Sequence, residues 1–256
     1  MSRHCCQLVS LSQKLSQQNQ HLPASQWKND HVTLTGDEAH HCTRVLRSKL
    51  GETVEVFDGE GKSAQGEITS LTKDKVEITL NDDHSFSIAP SEIHLIQAIP
   101  KGGNMELIVQ KAVELGITTI QPLITEHTIA RAEQMDKKLL KWQRIALEAC
   151  KQCGQNYLPT ILPVQKFSNW IEIRQSADLN LVAALLPTSL PLTEAFSAKP
   201  TSASFIIGPE GDFSDPEYQQ IIDAGYQPVT LGDIVLRVET ATLFCLSVIK
   251  HELARI

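Results

Sequence analysis

Two glycine-bearing segments hold the residues best suited to chemistry, Gly208-Pro-Glu-Gly-Asp212 and Gly232-Asp-Ile-Val-Leu-Arg-Val-Glu-Thr240. Glycine permits positive φ and a close backbone approach, while proline fixes φ and removes a donor. The first segment follows an apolar run, Phe205-Ile-Ile207, and precedes Ser214-Asp-Pro-Glu217. In that tetrad Ser214 reads as a helix N-cap, Pro216 as a first-turn proline and Glu217 as the other half of a capping box. A strand, a glycine loop and a helix N-terminus in succession present backbone N–H groups to a ligand. The second segment repeats the device, with a strand at Val229 to Leu231, a turn at Gly232 and a helix from about Glu239. Two such loops so close in sequence point to one site. Within it Arg237 offers a planar fork of donors to an anionic oxygen. A competing reading pairs Arg237 with Glu210 or Glu239, and both can hold at once. Glu210 suits backbone N–H groups, and Glu239 complements the N-terminus of its own helix.

The elements that must position these loops divide into two patterns. Up to about residue 90, short segments alternate apolar and polar residues at period two: Val32 to Thr35, Thr53 to Phe57, Ala64 to Ile68 and Lys75 to Leu80. Turn signals at Asp58-Gly59, Gly61 and Asn81-Asp82 separate them, which fits a small β-barrel. Between the first two lies a segment read as one helix, opened by Asp37 and closed by Gly51, carrying Arg44, Arg47 and Lys49. Gln13 to Gln20 reads as a polar loop. Beyond Pro90 the pattern changes: strand Ile93 to Ile99, helix Met105 to Leu115 stopped by Gly116, strand Ile117 to Leu123, helix Asp136 to Cys153 stopped by Gly154, and strand Leu179 to Leu186. The terminal helix runs to Leu253. Strands alternating with helices give a parallel α/β sheet. The expected domains are 1–88 and 89–256.

At 256 residues with 41% hydrophobic content, the chain can bury a sizeable core. No run of 18 apolar residues occurs, so no membrane span is expected. Met1-Ser-Arg-His-Cys-Cys has no continuous apolar stretch, so the expected location is cytoplasmic. The six cysteines are scattered and read as reduced thiols, with Cys150-x-x-Cys153 inside a helix read as packing. His40-His41 makes a poor ligand pair, since neighbours on a helix diverge by about 100°. No metal site is expected. The net charge is −7 and the first 90 residues hold 9 basic and 12 acidic side chains, so nucleic-acid binding would rest on a local patch. No Gly-x-x-x-x-Gly-Lys-Ser/Thr loop is present, which argues against a nucleotide hydrolase.

Ile207-Gly-Pro-Glu-Gly211, followed by Leu231-Gly-Asp-Ile-Val-Leu-Arg-Val-Glu-Thr-Ala241, resembles the RsmE family. The likeness extends to His40-His-x-x-Arg-Val-Leu-Arg47, Gly51-Glu-x-Val-x-Val-Phe-Asp-Gly59, Lys101-Gly, Lys111-x-x-Glu-Leu-Gly116 and Trp142-x-x-Ile-Ala-x-Glu-Ala-Cys-x-Gln-Cys-Gly154. It thus covers about residues 32 to 250.

That resemblance implies a PUA-like RNA-binding barrel followed by a SPOUT α/β domain with a deep trefoil knot. It implies S-adenosylmethionine as methyl donor, N3 of a uridine in small-subunit (16S) ribosomal RNA as acceptor, and a homodimer. Leu186, Ile207, Gly208, Glu210, Gly211, Leu231, Gly232, Leu236 and Thr240 would then cradle the donor. Arg237 and Glu239 would be catalytic, since an imide N3–H must lose its proton and the developing enolate oxygens need stabilising. Arg44, Arg47, Lys49 and Lys101 would meet RNA, although a solvated charged face explains the first three equally well. Asp212, Ile234 and Gln155 depart from the family pattern, which has glycine, a basic residue and arginine there, and of the basic N-terminal start only Arg3 remains. Two other readings therefore stand beside the first: a SPOUT methyltransferase with a different target base, and an RNA- or donor-binding protein with impaired catalysis.

Overall fold

The computed structural model describes residues 19–27, 30–129, 134–196 and 200–254. Arg3, Cys5 and Cys6 lie outside them. The chain divides into two compact units, one drawn from Met1–Ala89 with Leu147–Leu158 and the other from Pro90–Ala146 with Pro159–Ile256.

The first unit is built on a five-stranded sheet in the order β1-β3-β4-β5-β2, comprising β1 (Asn19–His21), β2 (His31–Thr35), β3 (Thr53–Phe57), β4 (Lys62–Leu71) and β5 (Lys75–Phe86). Period-two alternation turns Val32, Leu34, Val54, Val56, Ile68, Val76 and Ile78 into one core. β1 corrects the loop expected over Gln13 to Gln20 at Asn19 and Gln20, the rest of that segment lying outside the described residues. Its residues are polar yet largely buried, because the strand pairs in parallel with β3 and Asn19 Nδ2 donates to the Lys151 carbonyl at 3.1 Å.

The single helix expected from Asp37 to Gly51 is also corrected. A short α1 (Gly36–His40) widens into a π turn (His41–Val45), and Arg47 then takes a left-handed φ of 55°. Leu46 N–H reaches the His41 carbonyl at 3.0 Å and Ser48 N–H reaches that of Cys42 at 3.1 Å. These bonds satisfy the helix C-terminus well before Gly51.

The second unit is an all-parallel sheet, β11-β13-β10-β12-β6-β7-β8, with β9 also paired to β7. Its strands are β6 (Glu92–Ala98), β7 (Thr119–Ile124), β8 (Thr160–Ile161), β9 (Gln165–Lys166), β10 (Leu179–Ala183), β11 (Leu190–Pro191), β12 (Ser202–Ile207) and β13 (Gln227–Thr230). The helices are α2 (Asn104–Glu114), α3 (Met135–Cys153, of which the part from Leu147 belongs to the first unit), α4 (Phe167–Ile173), α5 (Asp215–Asp223) and α6 (Val238–Leu253). Gly154 closes α3 at φ 73°, as its place after the helix requires. Strand β10 stops at Ala183, three residues short of the expected Leu186. The Leu186 carbonyl instead accepts the Ser189 N–H at 2.9 Å in a turn around Pro187. The architecture is the expected β domain and parallel α/β domain.

Candidate active site

A cavity of about 400 Å3 opens at the carboxyl ends of the adjacent parallel strands β13, β10, β12 and β6. That is where open α/β sheets bind ligands, and the volume falls in the ~300–1,000 Å3 range of small-molecule sites. The segment leaving each strand supplies part of the wall: Leu231 after β13, Ala184 and Leu185 after β10, Gly208 to Glu210 and Asp212 after β12, and Asn104 after β6.

The first glycine loop is fastened on several sides. Asp212 N–H closes a turn on the Pro209 carbonyl at 2.9 Å, and Glu210 accepts the Lys101 backbone N–H at 2.9 and 3.2 Å. A Cβ on Gly208 would come within 3.1 Å of Asp212 Oδ1 and of the Phe213 ring, so a side chain there would require those neighbours to give by a few tenths of an ångström. The capping box forms as the sequence predicts. Glu217 Oε2 accepts the Ser214 N–H at 3.1 Å, while Oε1 accepts the Glu126 N–H at 2.9 Å.

The second loop ends on α6, whose N-cap is Arg237. Val238, Thr242, Cys245, Leu246, Ile249 and Leu253 are buried at helical spacing and seat α6 in the core. A fully buried hydrogen bond from Thr242 Oγ1 to Gln97 Oε1, at 2.7 Å, ties its first turns to β6. Arg237 therefore projects from a fixed base. Among the described residues it makes no ion pair with Glu210 or Glu239. Glu210 is held by the Lys101 backbone N–H, and Glu239 accepts from Asn104 Nδ2 at 3.2 Å. The segment after β6 thus touches both glycine loops, through Lys101 on one and Asn104 on the other.

Of the residues named from sequence, Ile207, Gly208, Glu210, Leu231, Leu236, Arg237 and Glu239 come together around the cavity. Leu186 packs against the core of the second unit. Gly211 lies beside His127, where an added Cβ would come within 3.1 Å of the His127 Cβ. Gly232 is exposed, with a φ of 122°. Thr240 faces a separate recess lined by Leu107, Leu243, Phe244 and Val248. In the first unit Arg44 lies within the π turn while Arg47, with its left-handed φ, and Lys49 come after it, which spreads the three over a bend rather than one helix face. Sequence reasoning passed over Asn104 as a lining residue, although the Gly102-Gly103 pair before it marks the loop. It also passed over Ala184 and Leu185, which nothing but the end of β10 identifies.

Cys150 is buried, and burial pushes its thiol up to about 12, which removes it from thiolate chemistry at neutral pH. His41 Nε2 stands 3.3 Å from Glu148 within the first unit.

The cavity is mixed in character. Its walls combine apolar side chains with exposed backbone, and Glu210, Asp212 and Glu239 outnumber Arg237 in charge. The fold is that of a SPOUT-class methyltransferase domain in a protein that also carries a PUA-like domain. Sequence comparison makes the assignment specific. The RNA methyltransferase domain model matches residues 87–250, and the RNA methyltransferase PUA domain model matches 34–81. Ribosomal RNA small subunit methyltransferase E of Buchnera aphidicola is 30% identical over 226 residues, 87% of this chain and 88% of the relative. The enzyme of that name from Synechocystis is 34% identical, over 86% of this chain and 72% of its own. The crystal structure of the Neisseria gonorrhoeae enzyme bound to S-adenosylmethionine aligns with a TM-score of 0.83 at 32% identity, covering 92% of this chain and 97% of that one. A putative methyltransferase of Legionella pneumophila in complex with the same donor gives 0.85 at 32% identity, with the same coverage. The chain belongs to the ribosomal RNA small subunit methyltransferase E family.

Proposed function

We propose that the protein methylates N3 of a uridine in small-subunit ribosomal RNA, with S-adenosylmethionine as donor. The observation that carries this reading is Arg237, unpaired with either neighbouring carboxylate and fixed at the N-cap of α6 on the wall of the cavity. Bound donor supplies an electrophilic methyl group, with no acid–base help needed at the carbon. The chain's own work lies at the acceptor. A uracil imide becomes nucleophilic as N3 loses its proton, and negative charge then builds on the flanking oxygens. The Arg237 guanidinium offers several donors to that charge, an electrostatic contribution of about 3 to 4 kcal/mol where one such donor is removed. Ile207, Gly208, Leu231 and Leu236 would hold the donor, with Glu210 fixed by Lys101 shaping the wall. Glu239 stands in the first turn of α6 and lines the same cavity, so it is the nearest carboxylate in sequence to Arg237 for a proton leaving N3.

RNA contact is assigned to Lys101, at the loop touching the cavity, and to Arg44, Arg47 and Lys49 of the first unit. The boundary proposed for the RNA-binding and methyltransferase domains lies at residues 88–89. A homodimer fits the apolar recess of about 690 Å3 lined by α2 and α6, where Leu107 and Phe244 remain 42% and 44% exposed. Cytoplasmic action is proposed with it, in keeping with a ribosomal RNA substrate.

The reading is tested by incubating the protein and labelled donor with small subunits lacking their native uridine-N3 methylation, then mapping the product by nucleoside mass spectrometry. Label on uridine N3 that Arg237→Ala abolishes is expected. Label on another base would keep the donor site and discard the target.

A further inference from the structure

We propose that Tyr218 and His127 are positioning residues for methyl-donor binding, which together hold Asp212 in the cavity wall. The inference rests on the donor reading of the cavity and concerns residues outside its lining. Asp212 has a φ of 60°, in the left-handed region that glycine enters freely and aspartate enters at a cost. It is nonetheless a wall residue, so its conformation sets the shape of the site. Left alone, such a residue would populate other backbone wells.

Three hydrogen bonds oppose that escape. Tyr218 donates its hydroxyl to Asp212 Oδ1 at 2.6 Å, the Phe213 N–H donates to the same oxygen at 2.9 Å, and His127 Nδ1–H donates to the Asp212 carbonyl at 2.9 Å. The same Oδ1 lies against the open face of Gly208, where a Cβ would sit 3.1 Å away. A side chain and a main-chain carbonyl are therefore held from two different elements. Tyr218 comes from α5, is buried, and packs edge-on against Phe213 with ring centroids 5.4 Å apart. Burial and the Asp212 carboxylate both raise its ionisation range, so it remains a neutral donor. His127 comes from the loop after β7. That loop is pinned to the start of α5 where Glu217 accepts the Glu126 N–H. The two grips thus share one frame.

The two residues hold different atoms, and this separates them experimentally. Tyr218 acts through the Asp212 side chain, whereas His127 acts through the backbone. Donor affinity is read by calorimetry with S-adenosylmethionine on the full chain, with thermal melting alongside. Tyr218→Phe keeps the packed ring and is expected to raise the donor Kd about tenfold, because apparent affinity falls with the fraction of competent conformer. Asp212→Gly, which takes this φ without strain, removes the oxygen that Tyr218 holds and serves as the background in which that contact is absent. In the Asp212→Gly background Tyr218→Phe should cost less than about twofold, while His127→Ala should still weaken binding because its carbonyl partner persists. An equal Tyr218→Phe penalty in both backgrounds, or none in either, overturns the inference and leaves the functional reading standing. Failure of the unaltered protein to bind the donor would overturn the functional reading, and this inference with it.

Discussion

The two glycine loops of the cavity are built to opposite specifications. Gly208 to Asp212 is bound on every side, by Lys101, by His127, by Tyr218 and by its own turn. The loop from Leu231 to Leu236 presents Ile234 and Val235 at 72% and 83% exposure and ends on Arg237 at the N-cap of α6. A rigid wall suits a ligand of fixed shape, because little ordering entropy remains to be lost when it binds. An exposed loop ending on a guanidinium suits a macromolecular acceptor that arrives from solvent. On the proposed reading this is a division of labour: the first loop serves the donor alone, while the second, whose Leu231 and Leu236 also line the donor cavity, carries the acceptor chemistry at Arg237.

The sharpest break in that division is Arg237→Ala. Methyl transfer at saturating donor should fall about 100- to 1,000-fold, as for the loss of a preorganised donor to developing charge, with donor Kd in calorimetry hardly moved. Next comes Gly208→Ala, whose Cβ would press on Asp212 and Phe213. Donor affinity should drop about tenfold, in line with typical overpacking costs of about 1–3 kcal/mol, and the maximal rate should be kept. A smaller effect is expected from Ile234→Lys. One added cation on the exposed loop should steepen the salt dependence of RNA binding by about one unit of slope, measured by filter binding over a salt series, with donor affinity unchanged.

The parts of this site that were legible in the sequence are those fixed by neighbours in the chain. The first loop could be read because its signals are local: apolar strand, Gly-Pro, capping box. Its grip by His127 could not, since that bond spans 85 residues and ends on a carbonyl that every residue possesses. Asp212 stands where the family has glycine, and the bonds from Tyr218, the Phe213 N–H and His127 show how the fold accommodates it. The α6 helix was legible in outline, from about Glu239 to Leu253, yet the Thr242–Gln97 bond that steadies it joins residues 145 apart. The helix expected from Asp37 to Gly51 failed for another reason. Gly51 marked a later turn, and a π turn with a left-handed arginine leaves no signature in side-chain periodicity.

The smallest expected effect is on stability rather than on either loop. Burial holds His94 below its ordinary 6.5, only partly offset by Glu92, and burial likewise lowers His21. Both groups therefore stay neutral in the fold at a pH where the unfolded chain begins to charge. Their contribution is complete above the unfolded value and is lost as pH falls through the lower folded one. The melting temperature should decline between about pH 7 and pH 5, and His94→Gln should flatten the decline.

The most direct test of the division is single-turnover methyl transfer to unmethylated small subunits, run with Gly208→Ala and Arg237→Ala across a donor titration. Raising the donor concentration should restore Gly208→Ala to near the rate of the unaltered protein and leave Arg237→Ala slow. Restoration of Arg237→Ala by donor, or failure of donor to restore Gly208→Ala, would contradict the assignment of Gly208 to the donor and Arg237 to the acceptor.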